Sequence, residues 1–318
     1  MRMRPRPCDW PLAAHDNTSK DKDKTMTPSQ TRLPQRPDFR FTHPLRVRGA
    51  EVDMQKVVFN AHYMTYVDTA LAAYWRRLAL PYDQMVQELG AEFVLKKVSM
   101  DCHLPAHFED QIVVSLCCQQ IQDASLDVKA AIYRGNDLLV TCELHYACVD
   151  RISQSLRPVH SALRHVIENF EAGGSVLTLK TGGWEELGWD AMEVRIEVFV
   201  DEQQIPLALE NDADDAAAFH AVAYNGIGQA VATGRLLVGG PGQGRIGRMA
   251  VKRVLRGAGQ GAAVLDALQA EASQRGDTEL SLHAQTSAQG FYARRGFTVR
   301  GDVFDEVGLP HIEMFIAL

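Results

Sequence analysis

The sequence predicts a two-domain α+β protein, and three observations support that prediction. The chain has 318 residues, a length that favours two domains over one. A long helical pattern and several strand-like runs precede the glycine-containing segment Glu171–Ser175, whereas a strand, a glycine-rich turn, a helix and a second strand follow it. We therefore expect a tail at 1–38, a first domain at 39–171, a linker at 172–177 and a second domain at 178–318.

The composition excludes several classes of protein. The chain is 46% hydrophobic and 23% charged, which is an ordinary globular balance. Its formal net charge of −7 gives no support for nucleic acid or an anionic membrane surface as a partner. No apolar run approaches the length of a transmembrane helix.

The tail and the cysteines favour a cytoplasmic location. The tail is rich in charged, polar and proline residues with few large apolar side chains, so we predict that it is disordered. It lacks the apolar stretch of a secretory signal, and Met26 is an alternative start. None of the six cysteines belongs to a C-x-x-C pair or a histidine-rich zinc spacing. We therefore expect reduced, buried thiols in a cytoplasmic protein that requires no metal.

The first domain reads as one long helix followed by an antiparallel meander. A strand at Arg40–Arg48 precedes a helical pattern at Asn60–Leu80, whose apolar residues form one broad stripe. Gly135-Asn136-Asp137 is a tight-turn signal, and a second helix is expected at His160–Phe170. Four strand-like runs lie between the two helices, at Glu92–His103, Gln111–Gln122, Leu126–Arg134 and Leu138–Val149.

The entrance to the long helix carries a recognisable motif. Asp53–Tyr63 reads DMQKVVFNAHY and resembles the D-x-x-G-x-V-x-N-x-x-Y signature of hotdog-fold acyl-CoA thioesterases, the YbgC and 4-hydroxybenzoyl-CoA thioesterase group. The resemblance covers about residues 40–165 and implies an antiparallel sheet around one long helix, with Asp53 as the catalytic carboxylate. Asn60 and Tyr63 match positions at the start of that helix. Lys56 stands where many members carry glycine; it is either strained at positive φ or a cation for the phosphates of CoA.

Thioester hydrolysis explains why these residue types are needed. A carboxylate attacks the thioester or activates water, and backbone N–H groups at a helix start, here Val58, Phe59 and Asn60, polarise its carbonyl. The alternative for Asp53 is a turn or capping residue. Hotdog proteins of this group pair two subunits with the active site between them, so the resemblance implies a homodimer or homotetramer.

The second domain contains a phosphate-binding pattern. After a strand at Val176–Thr181, a later strand at Arg245–Val251 leads into the turn Arg256–Gly261 and a helix with an apolar face, and a strand at Thr278–Ala284 follows. Glycines let the backbone approach a phosphate closely. The free N–H groups and the positive end of the helix then favour a diphosphate.

This order of elements, followed by F-Y-x-x-x-G-F at Phe291–Phe297, resembles the GNAT N-acetyltransferase superfamily. Arg195–Gln203 and Gly301–Met314 are similar to its ElaA branch, and the resemblance covers roughly Thr178–Leu318. It implies an α/β fold with a mixed sheet and transfer of an acetyl group from acetyl-CoA to an amine, with Tyr292 protonating the leaving thiolate. The implied cofactor-binding residues are Met249, Ala250, Val251, Arg256, Gly257, Gly259, Gln260 and Gly261.

The general base of the transfer stays open at this point, because the strand RIGRMAV contains no acid. The candidates for the base are Glu210, Asp212, Asp214, His220 and His311, and all of these except Asp214 are also candidates for the acceptor site. The acidic cluster Glu210–Asp215 either attracts a cationic amine or is a solvated loop.

The expected function is that of a bifunctional enzyme that uses coenzyme A thioesters, with small-molecule acyl-CoA and an amine acceptor as its substrates. Two alternatives are kept. Arg195, Phe199, Glu210, Asp212 and Asp215 resemble the pattern of acyl-homoserine-lactone synthases. In the other alternative, either domain is a non-catalytic acyl-CoA-binding sensor.

Overall fold

The computed structural model describes residues 33–210 and 212–318, which form two compact units. Of the described residues, the N-terminal unit contains 33–75 together with Tyr82–Gly174, and the C-terminal unit contains Arg76–Pro81 and the described part of Ser175–Leu318. Most of the tail predicted to be disordered lies outside the described residues, and within them Arg36–Asp38 forms a 3-10 turn. The domain limits predicted from the sequence stay a prediction.

An antiparallel sheet of five strands forms the N-terminal unit, in the order β1-β3-β4-β5-β2. The strands are β1 (Phe41–Arg46), β2 (Ala91–Cys102), β3 (Gln111–Ile121), β4 (Ser125–Arg134) and β5 (Asp137–Asp150). The predicted meander is correct for β3, β4 and β5 but wrong for β2, which pairs with β5 rather than with β3. The connection at 103–110 is too long to force β2 and β3 together, whereas two turn residues join β4 to β5.

The long helix α1 (Asn60–Arg77) forms because its apolar residues recur at helical spacing. Its buried face includes Tyr74, whose ring makes edge contacts with Phe41 of β1 and Phe170. The helix ends three residues before the predicted Leu80, because Ala79 adopts a left-handed conformation with φ +58°. The other helices of this unit are α2 (Tyr82–Leu89), which the sequence pattern did not reveal, and α3 (Ser161–Glu171).

The C-terminal unit has a mixed sheet of seven strands in the order β11-β12-β10-β9-β8-β7-β6. Only β9 and β10 run parallel, so the mixed sheet implied by the resemblance is confirmed. The strands are β6 (Leu177–Gly182), β7 (Phe219–Asn225), β8 (Ala230–Gly240), β9 (Gln243–Val251), β10 (Glu279–Gln285), β11 (Thr298–Glu306) and β12 (Leu309–Ala317).

Helices cover both faces of this sheet. Alternate residues of β7 pack in opposite directions: Ala221 and Ala223 lie in the core with one helix, whereas Val222 and Tyr224 lie in the core with another. The first is α6 (Gln260–Arg275) and the second is α4 (Trp184–Arg195), which continues as a π-helix at Ile196–Glu202. The remaining helices are α5 (Leu207–Glu210) and α7 (Gln289–Ala293). No helix of the described residues is long and apolar enough to cross a membrane.

The parallel pair β9 and β10 separates part-way along its length. The two strands are paired from Gln243 and Glu279 to Ile246 and Leu282, and both then continue without pairing to each other. A bulge shifts the register between β8 and β9 just beyond that point, where Arg248 adopts a left-handed φ of +51°. The sheet is therefore open between the ends of β9 and β10.

Candidate functional sites

Asp53 lies in a tight turn just before α1. Its Oδ1 accepts hydrogen bonds from the N–H groups of Gln55 at 2.7 Å and Val57 at 3.4 Å, and its backbone pairs with Val57 and Lys56. Its Oδ2 makes no hydrogen bond within the described residues. Lys56 is exposed at φ +63°, the conformation in which glycine would be unstrained. Asp53 therefore shapes the turn with one oxygen while the other is available for chemistry.

The helix start offers a narrower set of donors than the sequence suggested. The N–H of Val58 donates to the carbonyl of Ala106 at 2.8 Å, and the N–H of Phe59 donates to the carbonyl of Glu51 at 3.0 Å. These two groups are therefore not free to polarise a thioester. Asn60 and Ala61 open α1, and their N–H groups have no acceptor in residues 33–210 or 212–318.

Two tyrosines of α1 fix the segments around this turn. The hydroxyl of Tyr63 accepts the N–H of Ala106 at 3.0 Å, so this residue holds the neighbouring loop, and burial raises its pKa. The hydroxyl of Tyr66 donates to buried Glu51 at 2.6 Å. Burial alone would raise the pKa of Glu51, but the hydrogen bonds from Tyr66 and Arg48 outweigh it and lower the pKa. Sequence analysis missed Glu51, because nothing in the pattern marks it as a buried carboxylate.

A cavity of about 910 Å³ opens in the C-terminal unit where β9 and β10 separate. Its lining combines the ends of these strands, the turn before α6 and helix α7. The lining includes most residues that the sequence singled out: Met249, Ala250, Val251, Arg256, Gly257, Gly259, Gln260, Gly261, Tyr292, Glu210, Asp212, Asp214 and His311.

The glycines of the turn have two different roles. Gly257 and Gly259 have φ values of +85° and +105°, a region that other residues rarely adopt. Gly261 is needed for space, since a Cβ there would lie 3.1 Å from the side chain of Val251. Because α6 begins at Gln260, its first N–H groups have no partner within the helix and border the cavity. This end of the cavity therefore suits an anion such as a diphosphate.

Tyr292 borders the same cavity from α7. Its ring is buried and makes edge contacts with Phe291 and Phe297. Burial raises the pKa of Tyr292 well above its usual value, because the phenolate would lose its hydration. The hydroxyl therefore keeps its proton at neutral pH and can act as a proton donor.

Comparison with known proteins agrees with this geometry. A family model described as "Thioesterase superfamily" matches residues 55–141, and one described as "Acetyltransferase (GNAT) domain" matches residues 188–318. The uncharacterized N-acetyltransferase YjcF of Bacillus subtilis is 37% identical over 131 residues, 41% of this chain and 92% of that protein.

The chain belongs to the GNAT acetyltransferases and carries a thioesterase-superfamily domain ahead of that part. The acyl-CoA thioesterase YbgC of Haemophilus influenzae is 26% identical over 113 residues, 36% of this chain and 83% of that protein. The crystal structure of Slr0204, a 1,4-dihydroxy-2-naphthoyl-CoA thioesterase from Synechocystis, covers 41% of this chain and 97% of its own at 20% identity, with a TM-score of 0.39. The predicted fusion is confirmed, and the two domains make the protein a CoA-dependent enzyme that combines a thioester hydrolase with an acyltransferase.

Arg256 and Gln260, at the two ends of the acetyltransferase turn, differ in whether their side chains have hydrogen-bond partners. Arg256 forms a two-pronged ion pair with Glu202, at 2.7 and 2.6 Å, and its Nε donates to the carbonyl of Val251. Gln260 is 1% exposed, and neither atom of its amide has a hydrogen-bond partner in the described residues. A buried, unpaired amide is unusual in a folded protein and marks this position of the cavity wall.

Three of the four carboxylates in the acidic cluster of the acetyltransferase domain are paired with arginines. Arg195 binds both Glu210 and Asp215, and all three side chains are buried. Asp212 lies 2.6 Å from Arg235 and 2.8 Å from Arg248. The hydrogen bonds from Arg235 lower the pKa of Asp212 to about 2. Three guanidinium groups thus face three of the four carboxylates of the cluster, and the fourth, Asp214, is exposed and borders the cavity.

The two predicted histidines occupy different places. His220 is buried against Trp184, with 5.1 Å between ring centroids, and its Nε2 lies 2.9 Å from the carbonyl oxygen of Asp215. Burial lowers the pKa of His220, and this residue does not line the cavity. His311 does line it and stacks on Phe304.

Sequence analysis missed a second histidine of the cavity, His283 on β10, whose Nδ1 lies 2.8 Å from Glu306 of β11. The alternation along the predicted strand Thr278–Ala284 does place His283 on the face opposite Leu282. The partnership with Glu306 depends on how β11 folds back over the sheet, which no local pattern indicates. In the described ranges no group of three or more His, Cys, Asp or Glu residues is arranged to hold a metal ion.

Proposed function

We propose that the thioesterase domain hydrolyses acyl-CoA thioesters, with Asp53 as the base or nucleophile. The observation that supports this role is the free Oδ2 of Asp53 in a turn just ahead of α1. The N–H groups of Asn60 and Ala61 supply hydrogen bonds to the thioester oxygen, where negative charge develops as the carboxylate or its activated water attacks. Val58 and Phe59 contribute through their backbone bonds, which hold the segment in place.

A homodimer or homotetramer formed through the thioesterase domain completes this proposal. Strand β2 is an outer strand of the sheet, and many of its side chains are exposed, including Leu95 and Val98 at 39% and 42%. A long outer strand with exposed apolar side chains is a ready surface for pairing with another strand. The resemblance to hotdog thioesterases implies that a second copy of the chain takes that place and completes the active site.

The acetyltransferase domain, in this proposal, transfers an acetyl group from acetyl-CoA to an amine. The single observation that supports it best is the shared cavity, in which the turn before α6, the unpaired end of β9 and Tyr292 all meet. The diphosphate of the donor binds the N–H groups at the start of α6, beside Gly257 to Gly261. The pantetheine arm lies along Met249–Val251, which lack a neighbouring strand on the β10 side. Tyr292 then protonates the departing thiolate.

A cytoplasmic location fits both activities. The cysteines of the described residues form no disulfide, and one of them, Cys102, is exposed. Burial raises the pKa of the Cys142 thiol to about 12, so this residue stays a neutral, unreactive thiol. Cysteines that form no disulfide are typical of a reducing compartment.

The test is thiol release from a panel of acyl-CoAs with no amine added, for the wild type, Asp53→Ala and Tyr292→Phe. We expect release with at least one acyl-CoA, loss of that release in Asp53→Ala, and no loss in Tyr292→Phe. Release no faster than buffer across the panel would contradict the thioesterase proposal. Acetyl transfer is tested separately by mass spectrometry of amines incubated with acetyl-CoA, where Tyr292→Phe alone should slow product formation.

A further inference from the structure

The two faces of the acetyltransferase sheet provide separate approaches to the cavity. Ile246 and Leu282, the last paired residues of β9 and β10, pack in the core beneath α6. Arg245 and His283 therefore point to the opposite face, since successive side chains of a strand alternate. Both also line the cavity. A donor held at the start of α6 reaches that opposite face only through the opening between the two strands.

A histidine and a carboxylate are paired at that opening. Nδ1 of His283 lies 2.8 Å from Oε2 of Glu306, and the ring of Phe304 packs edge-on against the imidazole, with 4.8 Å between centroids. An unprotonated Nδ1 would place its lone pair against the carboxylate oxygen. The guanidinium of Arg245, 3.3 Å from Nδ1, can only donate to it, but the shorter contact with Glu306 favours the tautomer with its proton on Nδ1, which leaves a lone pair on Nε2 that can accept a proton.

The charges around His283 come from every neighbouring strand. Arg245 of β9 lies 3.3 Å from the same Nδ1, and Glu306 of β11 is its carboxylate partner. From β12, Glu313 is the register neighbour and pairs with Arg300, and His311 borders the same cavity. Glu306 is thus the carboxylate placed to stabilise an imidazolium at His283.

We propose that His283 is the general base of the acetyl transfer and that Glu306 is its positioning residue. The inference rests on the proposed acetyltransferase function and supplies the base that the strand β9 lacks. The other candidates are less suited: Glu210 and Asp212 are bound by arginines, His220 lies outside the cavity lining, and Asp214 is an exposed carboxylate in the 3-10 turn Ala213–Ala217 rather than at the opening between β9 and β10. Within residues 33–210 and 212–318, Nδ1 of His311 has the carbonyl of Leu309 as its partner, at 2.9 Å, and no carboxylate is paired with this imidazole.

The reaction balances with these two groups. Nε2 of His283 takes one proton from the protonated amine, and the freed nitrogen lone pair attacks the thioester carbonyl carbon. The C–S bond then breaks with its electron pair passing to sulfur, and the thiolate takes the proton of Tyr292. The second proton that the nitrogen loses on becoming an amide returns through solvent to Tyr292, and His283 releases its proton to solvent. The products are the acetylated amine, the CoA thiol and one proton.

The experiment measures acetylated product by mass spectrometry, because CoA release alone would also report the thioesterase domain. The full-length wild type is incubated with acetyl-CoA and ethanolamine, putrescine, benzylamine or glycinamide, and the best acceptor is used for pH–rate profiles. His283→Gln, His283→Ala, Glu306→Gln and His311→Gln are compared. His145→Gln is the matched control, since His145 is also half exposed and paired through Nδ1 with a carboxylate, Asp127 at 2.6 Å, but lies in the thioesterase domain.

We expect His283→Gln to lower kcat/KM for the amine by about 100-fold or more, the size typical of a lost general base. The fall in rate at acidic pH should disappear in this variant, and added imidazole should partly restore His283→Ala. Glu306→Gln should lower kcat while the KM for acetyl-CoA stays unchanged, and His145→Gln should behave as wild type.

Each remaining outcome overturns the inference in a distinguishable way. If the wild type acetylates an amine but His283→Gln keeps its rate and pH profile, His283 is not the base although the domain transfers acetyl groups. If His311→Gln rather than His283→Gln removes the acidic fall in rate, the base is His311. If the wild type acetylates none of the four amines, the proposed acetyl transfer and the role of His283 are both rejected.

Discussion

Gln260 illustrates the cost of placing an unpaired amide in a wall of the acetyltransferase cavity. Replacing it by methionine keeps the shape and removes two buried polar groups without partners, so we expect the free energy of unfolding to rise by about 1–3 kcal/mol. Asn225→Leu is the control, because both polar atoms of the buried Asn225 side chain are hydrogen-bonded, to Gln229 and Ile227, and their loss should destabilise the domain. Urea unfolding of both variants checks the two opposite signs. A destabilised Gln260→Met variant would show that the amide is satisfied in solution.

Glu51 gives a pH-dependent prediction at the same scale. Its pKa is lowered in the folded protein, so it contributes stability above its unfolded value of 4.5 and loses that contribution as pH falls through the lower folded pKa. Glu51→Gln should therefore reduce the free energy of unfolding by about 1.5–3 kcal/mol at pH 7, the range for hydrogen bonds to a charged group. The difference from wild type should shrink steadily below pH 4.5. Urea unfolding at several pH values measures it, and a difference that stays constant with pH would refute the assignment.

Single residues also mark where sequence reasoning stops. The positive φ of Lys56 agrees with one of the two interpretations that the thioesterase motif left open for this residue. The sequence did not predict that the N–H groups of Val58 and Phe59 are already hydrogen-bonded. Their acceptors, the carbonyls of Ala106 and Glu51, lie on other segments. Hydrogen-bond partners brought together by the tertiary fold leave no trace in local spacing.

At the scale of elements, regular periodicity was enough to predict α1, α6 and most strands of the thioesterase sheet. It failed for the pairing of β2, because strand order is decided by connections and packing rather than by the residues of the strand. Periodicity also did not predict the bulge of β9 at Arg248, because arginine is not a residue type that indicates positive φ. That bulge lies where the cavity opens, so the decisive feature of the candidate site was visible only in the fold.

Strand β2 allows a direct test of the proposed assembly. Val98→Lys places a charge on the exposed outer strand, and we expect it to convert the oligomer to monomers and to reduce thioester hydrolysis with it. Val299→Lys is the matched control, because Val299 is also 42% exposed and lies on β11, the outer strand of the acetyltransferase sheet. Analytical ultracentrifugation gives the oligomeric state. Monomers produced by Val299→Lys but not by Val98→Lys would contradict the proposed interface.

At the scale of the whole molecule, the chain joins two units with separate cores. Leu268→Ala removes a fully buried side chain of α6, and Ile167→Ala removes one of α3. Each should cost its own domain about 2–5 kcal/mol, the range for such truncations. We expect Leu268→Ala to lower the melting temperature of one calorimetric transition and to leave thioester hydrolysis unchanged. Ile167→Ala should lower the melting temperature of the other transition and leave acetyl transfer unchanged. A single transition shifted equally by both variants would show that the domains unfold as one.

The opening between β9 and β10 leaves the end of β9 without a paired strand on one side. Strand β9 continues to Val251 without pairing to β10, and of its last carbonyls that of Val251 accepts from Nε of Arg256. A pantetheine arm, with its own amides, would occupy the place of a missing strand. Those amide hydrogens of Met249–Val251 that face the opening rather than β8 should then exchange quickly with solvent in the free enzyme and slowly once acetyl-CoA is bound. On that view, the small molecule is the last structural element of the domain to be added.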